Sequence, residues 1–349
     1  MARMRIENKV HSGTTTDPPP QARVMELISS LWKTHATAAI ARLRVPDHLV
    51  DGPRTAAELA SVTSADVGAM ARLLRAGASL GLLEDVPPDQ YRLTALGECL
   101  VSGAGSLRDY AVLMTDPGQA RPLEHLAQAI TTGQPTAQAA LGQDLWAHLR
   151  EHPDEADRFI GTMKGLSAVN APLVAAHFDA SPYRRIVDVG GGHDFLLRAL
   201  LARAPEASGV LFDLPEVAAA AVDSRADSPP SGPPIEIVGG SFFDDVPAGA
   251  DLYVLAHVLH DWDDAAAVKI LRNCHRAGRP GHALVVVEML LPDGPGDWLP
   301  FLLDLHMLVT NGGRERTAGD FRALLDEAGY RVGQITGLPG GQNILLAWG

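Results

Sequence analysis

Cysteine is almost absent from this chain: its 349 residues include two, Cys99 and Cys274, far apart and outside any CxxC spacing. That excludes a disulfide framework and a cysteine-ligated zinc site, and leaves both thiols as packing residues. Long apolar runs are missing as well. No stretch approaches the roughly 18 residues that a membrane-spanning helix needs, and the N-terminal MARMRIENKVHSGTTTDPPPQ lacks the apolar segment of a signal peptide. A cytoplasmic location is expected. Basic charge is scarce: 29 Lys and Arg against 42 Asp and Glu leave a formal charge of -13. Such a surface repels polyanions, so neither a nucleic acid nor a membrane is expected as partner. Two nucleotide signatures are also lacking. A Walker loop fails for want of GK[ST], and GGGHDF (190 to 195) lacks the later glycine of GxGxxG, which argues against hydride transfer from a dinucleotide.

What is present divides in two. The length exceeds that of one ordinary domain, and 46% hydrophobic residues suffice for full cores. Residues 1–20, with Pro18, Pro19 and Pro20, read as a disordered arm. Residues 21–180 read as mostly helical. Val24, Leu27, Ile28 and Leu31 follow helical spacing, and Ala36 to Leu43 continue a small-residue helix suited to close packing on a second copy. From Asp47 to Leu100 the order is that of a winged helix: the helix TAAELA, a second around MARLLRAGASLGLL, then the strand YRLT. A transcription regulator is the non-enzymatic alternative. Eight acids against four Arg between Asp47 and Glu98 disfavour it and make the unit a dimerisation element of a homodimer.

Residues 181–349 change period. The β-rich runs RIVDVGG (185 to 191), GVLFDL (209 to 214), IEIVGG (235 to 240), DLYVLAHVL (251 to 259) and ALVVVEMLL (283 to 291) alternate with helical segments, which predicts a parallel sheet covered on both faces. A helix over 317–329 and the runs RVGQIT and NILLAW close the chain. At the end of the first strand Asp188, Gly190 and Gly192 open a helix whose amides point toward any bound anion. Asp213 ends the next β run, where a carboxylate accepts hydrogen bonds from ribose hydroxyls. Together they predict a nucleotide-cofactor site.

The most specific run is Leu259-His260-Asp261-Trp262. With VDVGGG, FDLPEV and GGRERT, it makes residues from about Gln21 to the C-terminus resemble the small-molecule O-methyltransferases of the caffeate and carminomycin type. The resemblance implies an α/β fold, with a Rossmann-like class I methyltransferase domain preceded by a mostly helical winged-helix dimerisation domain. It also implies S-adenosylmethionine as cofactor and no metal. His260 would be the general base on a hydroxyl of a hydrophobic natural-product intermediate, oriented by Glu288 and Glu315. Met163, Ser167 and Phe242 would lie against the cofactor, and Asp261, Met307 and Asn311 against the substrate. The acids and histidines of 257–264 imitate a metal cluster, but Asp263 suits a helix N-cap instead.

Three positions depart from the family pattern, all in the cofactor site. Asp194 replaces the last glycine of VDxGGGxG, Ser241 replaces the acid before Phe242, and Ala256 replaces a lysine. Asp194 is expected to repel the cofactor's carboxylate with no lysine to offset it, weakening S-adenosylmethionine binding. A second reading follows: a repurposed scaffold performing cyclisation, rearrangement or other acid-base chemistry with the cofactor weakly held or lost.

Overall fold

The computed structural model describes residues 18–226 and 233–349, so most of the expected N-terminal arm lies outside the described residues. The first helix, Pro20–Arg42, starts with proline, whose missing N–H costs nothing at that position. Its two halves differ. Ala38, Ile40 and Ala41 are buried in this chain's own core with Val45, Leu59, Met70 and Leu74. The segment expected to face a second copy is thus used internally. The exposed apolar surface lies one to four turns earlier, on Val24, Leu27, Ile28, Leu31 and Trp32, the last 73% exposed.

Helix Ala56–Thr63 opens with a capping box in which Thr55 and Glu58 satisfy each other's backbone amides. Helix Val67–Ser79, capped by Asp66, stops short of the expected run because Gly81 adopts φ +76 and turns the chain. The following residues form strand β2 (Leu83–Val86), which pairs antiparallel with β3 (Gln90–Leu93). The short β1 (Arg54–Thr55) flanks β3 on its other side.

The C-terminal half is built on β4 (Arg185–Val189), β5 (Ser208–Asp213), β6 (Ile235–Gly239), β7 (Leu252–Ala256), β8 (Ala283–Leu291), β10 (Arg331–Gly337) and β11 (Gln342–Trp348), with β9 (Arg316–Thr317) extending the end of β8. The spatial order is β10-β11-β8-β7-β4-β5-β6; the central strands are parallel, and β11 runs antiparallel to both neighbours. Alternate residues supply two cores. Val187, Val210, Tyr253 and Leu284 face helices Asp264–Ala277 and Ala318–Glu327, while Ile186, Leu211, Val254 and Val285 face helices Pro153–His177 and Phe195–Arg203. Strand order reverses between β4 and β7, which opens a crevice at their carboxyl ends.

One strand is shorter than its sequence suggests. The run DLYVLAHVL leaves the sheet after Ala256, His257 adopts φ +54, and Leu259–Asp261 form a 3-10 turn. Hydrophobicity alone extends the strand; a buried carboxylate from β8 ends it, as the site geometry makes plain.

Candidate active site

That carboxylate is Glu288. It is fully buried, and its Oε1 accepts hydrogen bonds from the backbone N–H groups of Val258 (3.1 Å) and Leu259 (2.9 Å). Ladder bonds in the sheet are thereby replaced by side-chain bonds, and the chain swings His260 over the crevice. The GGRERT segment clamps the turn from the other side. A Cβ on Gly313 would collide with the His260 carbonyl, so only glycine permits this approach. The Arg314 amide donates to that same carbonyl at 2.8 Å. Arg316, completely buried, donates to the carbonyls of Leu259 and Trp262 at 2.7 Å each and pairs with Asp264.

The imidazole thus held is surrounded by acids. His260 Nδ1 lies 2.8 Å from Glu315 Oε1 and 3.7 Å from Glu288 Oε2, while its Nε2 is 3.9 Å from Asp261 Oδ1. Burial by itself pushes His260 down; the Glu288 charge, the Glu315 hydrogen bond and Asp261 outweigh it and lift the ring to about 10. Burial raises Asp261 and Glu288 in turn, against the opposing pull of His260. Asn311 Nδ2 donates to Asp261 at 2.8 Å, which leaves the amide oxygen buried and unpartnered. Met307 is buried on helix Leu299–Thr310, which also carries Asn311 at its end. The three residues expected around the hydroxyl and two of the three expected at the substrate therefore share one charged cluster, in which His260–Glu315 and Asp261–Asn311 are the hydrogen-bonded side-chain pairs.

Of two further histidines here, His257 stood in the sequence only as part of a metal-like run and His306 carried no expectation. His257 and His306 both bury an Nε2 without a partner. Burial depresses each, His306 to about 4, and the positive charge of His260 depresses both further. The signal for His306 was a lone imidazole in the apolar helix LPFLLDLHMLVT, a pattern that chain-local reasoning does not distinguish from a satisfied core residue. Ligand atoms of His257, His260 and Glu288 lie within 4.8 Å of one another, a spacing open to a metal ion. Of these, Glu288 Oε1 is engaged by two amides and His260 Nδ1 by Glu315, while His257 Nε2 and Glu288 Oε2 have no partner. Asp263 is the N-cap of the next helix, accepting from Ala266 N at 2.8 Å.

The glycine turn lies at the end of β4. Gly190 adopts φ +70, and a Cβ there would meet Val258 at 2.8 Å and the Phe242 ring at 3.6 Å. Gly192 donates to Asp213 Oδ2 at 2.8 Å and Leu214 N donates to Oδ1 at 2.7 Å, so Asp213 shapes the turn as well as facing it. Beneath the turn Asp188 is 1% exposed, and neither carboxylate oxygen has a hydrogen-bond partner. Burial, then the charges of Asp213 and Asp194, push it up to about 7. The three departures look different in this setting. Asp194 is paired with Arg198 one turn along its own helix, at 2.8 Å, so the repulsion expected of it is largely offset. Ser241 accepts from the Phe243 amide at 3.2 Å, keeping the local capping role open to an aspartate while lacking its charge. Ala256 is partly buried against the apolar face of the sheet and supplies no cation. Met163 and Ser167 lie partly buried on helix Pro153–His177, which packs along the helix that follows the turn.

Comparison with known proteins decides the family. Residues 123–331 match the O-methyltransferase domain, and residues 25–103 match the O-methyltransferase dimerisation domain. A phenazine O-methyltransferase of Lysobacter antibioticus is 36% identical over 332 residues, 94% of this chain and 96% of that protein. The chain belongs to the O-methyltransferase family. Its relatives include a 3-amino-4-hydroxybenzoate 4-O-methyltransferase of Streptomyces cremeus, 37% identical over 93% of this chain and 89% of that protein. The crystal structure of human N-acetylserotonin methyltransferase in complex with S-adenosylmethionine superposes with a TM-score of 0.87, at 28% identity over 96% of this chain and 99% of that one. The strand order described above is accordingly that of a class I methyltransferase fold, preceded by a helical dimerisation domain. The relatives are methyltransferases, and nothing among them supports the repurposed-scaffold alternative. Among the described residues no helix is long and apolar enough to cross a membrane.

Proposed function

We propose that this protein is a homodimeric, S-adenosylmethionine-dependent O-methyltransferase acting on a hydroxyl of a hydrophobic natural-product intermediate, with His260 handling the hydroxyl proton. The observation that carries this reading is the cage of Glu315, Glu288 and Asp261 around His260, at the crevice beside the glycine turn. Aromatic hydroxyls named for two relatives, on a phenazine and on an aminohydroxybenzoate, favour an aromatic acceptor. The exposed row Val24, Leu27, Ile28, Leu31 and Trp32 lies almost wholly within the stretch that matches the dimerisation domain, and a second copy is the partner it fits. The helix pair and hairpin of residues 47–100 belong to that dimerising half, not to a DNA reader.

The residues present fit the cofactor. A buried, unpartnered carboxylate is costly unless a cation joins it, and Asp188 is such a group under the glycine turn, suited to an ammonium. Asp213 has lone pairs left for ribose hydroxyls, Gly190 and Gly192 allow close approach, and Phe242 offers an apolar wall; Met163 and Ser167 complete the set. When bound, S-adenosylmethionine supplies an electrophilic methyl group on a sulfonium. This chain's own part is to place the hydroxyl, exclude water and manage one proton.

That proton is held tightly. With His260 at about 10, the resting ring is imidazolium at neutral pH. The reactive state needs one proton shared between imidazole and hydroxyl, as neutral imidazole with hydroxyl or imidazolium with oxyanion. Turnover of a weakly acidic hydroxyl therefore rises with pH from neutrality and levels near the His260 pKa, while more acidic hydroxyls react well at neutral pH. Asp261, Asn311 and Met307, with the neutral His306 beside them, are assigned to the acceptor. The test is methyl transfer from labelled S-adenosylmethionine to a panel of hydroxylated aromatics. Labelled methyl ethers are the expected product. Label transferred to nitrogen or carbon in place of oxygen would contradict the reading.

A further inference from the structure

His257 is both strained and unsatisfied. It adopts φ +54, a conformation that a non-glycine residue keeps only where the surrounding structure imposes it. The end of β7 does so: the His257 amide still donates to the Val287 carbonyl at 3.0 Å, and the next two amides go to Glu288. The imidazole is thereby set beside that of His260, with ring centroids 5.8 Å apart. Its Nε2 is buried without a hydrogen-bond partner. So is Oε2 of the fully buried Glu288, 3.7 Å from His260 Nδ1. Orphaned polar atoms gathered in one place are costly, and a shared ligand offsets that cost.

Two imidazoles and one carboxylate, with donor atoms within 4.8 Å of one another, are a ligand set for a divalent transition metal. In a formed tetrahedral site such donors stand about 3.3 Å apart, given metal–ligand bonds of about 2.0–2.2 Å. Closing to that spacing takes side-chain adjustments of about an ångström. Neither His257 Nε2 nor Glu288 Oε2 breaks a hydrogen bond in making them. The surroundings favour a dication, because Asp261 and Glu315 add two carboxylates, 3.9 Å and 2.8 Å from the His260 ring nitrogens. The His260 side chain, 14% exposed, gives an ion a way in from the crevice. We propose that His257, His260 and Glu288 form an inhibitory site for zinc or a similar divalent transition metal. The bound ion takes a lone pair of His260, the ring's proton leaves to solvent, and the imidazole no longer handles the acceptor hydroxyl. That consequence rests on the O-methyltransferase reading; binding of the ion does not. Magnesium, which prefers oxygen donors, does not fit this set.

Zinc chloride is the probe, with binding measured apart from catalysis. Calorimetry on the native protein should show one zinc per chain, and cobalt chloride in its place should give the strong visible absorption of a four- or five-coordinate ion. His257→Asn removes one ligand while suiting the positive φ, which asparagine tolerates. It should weaken zinc about tenfold or more, with circular dichroism like the parent's. Labelled methyl transfer by the native protein should fall in step with zinc occupancy, recover with a chelator and ignore magnesium. Equal zinc affinity in His257→Asn would overturn the proposal, as would the weak spectrum of six-coordinate cobalt or no binding at about 100 µM zinc. Zinc bound with transfer undiminished would overturn the inhibitory role. If the protein transferred no methyl group to oxygen, the functional reading would fail while the zinc titration stood on its own.

Discussion

The two ends of the crevice solve opposite problems. At the histidine end the residues expected from the family pattern are anchored, with Glu288 serving two amides, Glu315 holding His260 and Arg316 fixing the turn, while Glu288 Oε2, Glu315 Oε2 and the Nε2 atoms of His257 and His306 stay unpartnered around the ring. At the glycine end the sequence departs from the expected pattern three times, and the Asp188 carboxylate is left without a hydrogen-bond partner on either oxygen. The contrast follows from what each end must do. A residue that handles a proton needs a fixed environment before substrate arrives. A pocket that receives a charged cofactor leaves its bonds open until the ligand makes them. At the second end a neighbour, Arg198, offsets the charge that one departure adds, whereas substitution at the first strands a buried charge.

The largest effect should come from the histidine end. His260→Ala is expected to cost at least about a hundredfold in turnover, the scale of positioned acid-base catalysis, with S-adenosylmethionine affinity unchanged and circular dichroism like the parent's. Full activity on the true acceptor would remove His260 from the chemistry and erase the contrast. Next comes Glu288→Gln, which keeps an acceptor for the Val258 and Leu259 amides but deletes the charge that raises His260. The rising limb of the pH–rate profile should move to lower pH by about one unit or more; an unmoved profile would show that Glu288 acts only as a brace.

Smaller effects are expected at the glycine end. Arg198→Ala removes one cationic partner of Asp194 and should weaken S-adenosylmethionine by roughly three- to tenfold, with Asp194→Gly in the same background restoring it. A double variant no better than the single one would mean that Arg198 acts otherwise. Asp188 gives the most gradual effect. Folded, it keeps its proton up to about 7, whereas unfolded it releases it near the ordinary value of 3.8. The folded state therefore binds more protons across that window, and stability contributed by this group declines as pH rises from about 4 to about 7. Ammonium binding needs the ionised form, so cofactor affinity should fall as pH drops below about 7. Asp188→Asn should flatten both slopes in thermal melts and in calorimetry; slopes that persist belong to other groups.

Much of this was legible in the sequence, for identifiable reasons. The β runs of the second half showed themselves by period and flanking helices, and LHDW and GGRERT named both sides of the His260 turn. What failed depended on contacts distant along the chain. The run through Val258 reads as strand until Glu288, thirty residues later, removes its amides from the sheet. The Ala36–Leu43 segment reads as a partner-facing surface until the core around Met70 and Leu74 claims it. Asp194 reads as a lost glycine and an added charge; Arg198, four residues on, was visible but unweighted. His306 carried no local mark, since its Nε2 is notable only for having no partner in the fold.

The most direct test of the compensated glycine end is a calorimetric titration of the native protein with S-adenosylmethionine at about pH 8, where Asp188 is ionised. The account predicts saturable binding, one cofactor per chain, with a dissociation constant in the micromolar range typical of enzyme ligands. Absence of binding up to about millimolar cofactor, in a folded dimer, would contradict it.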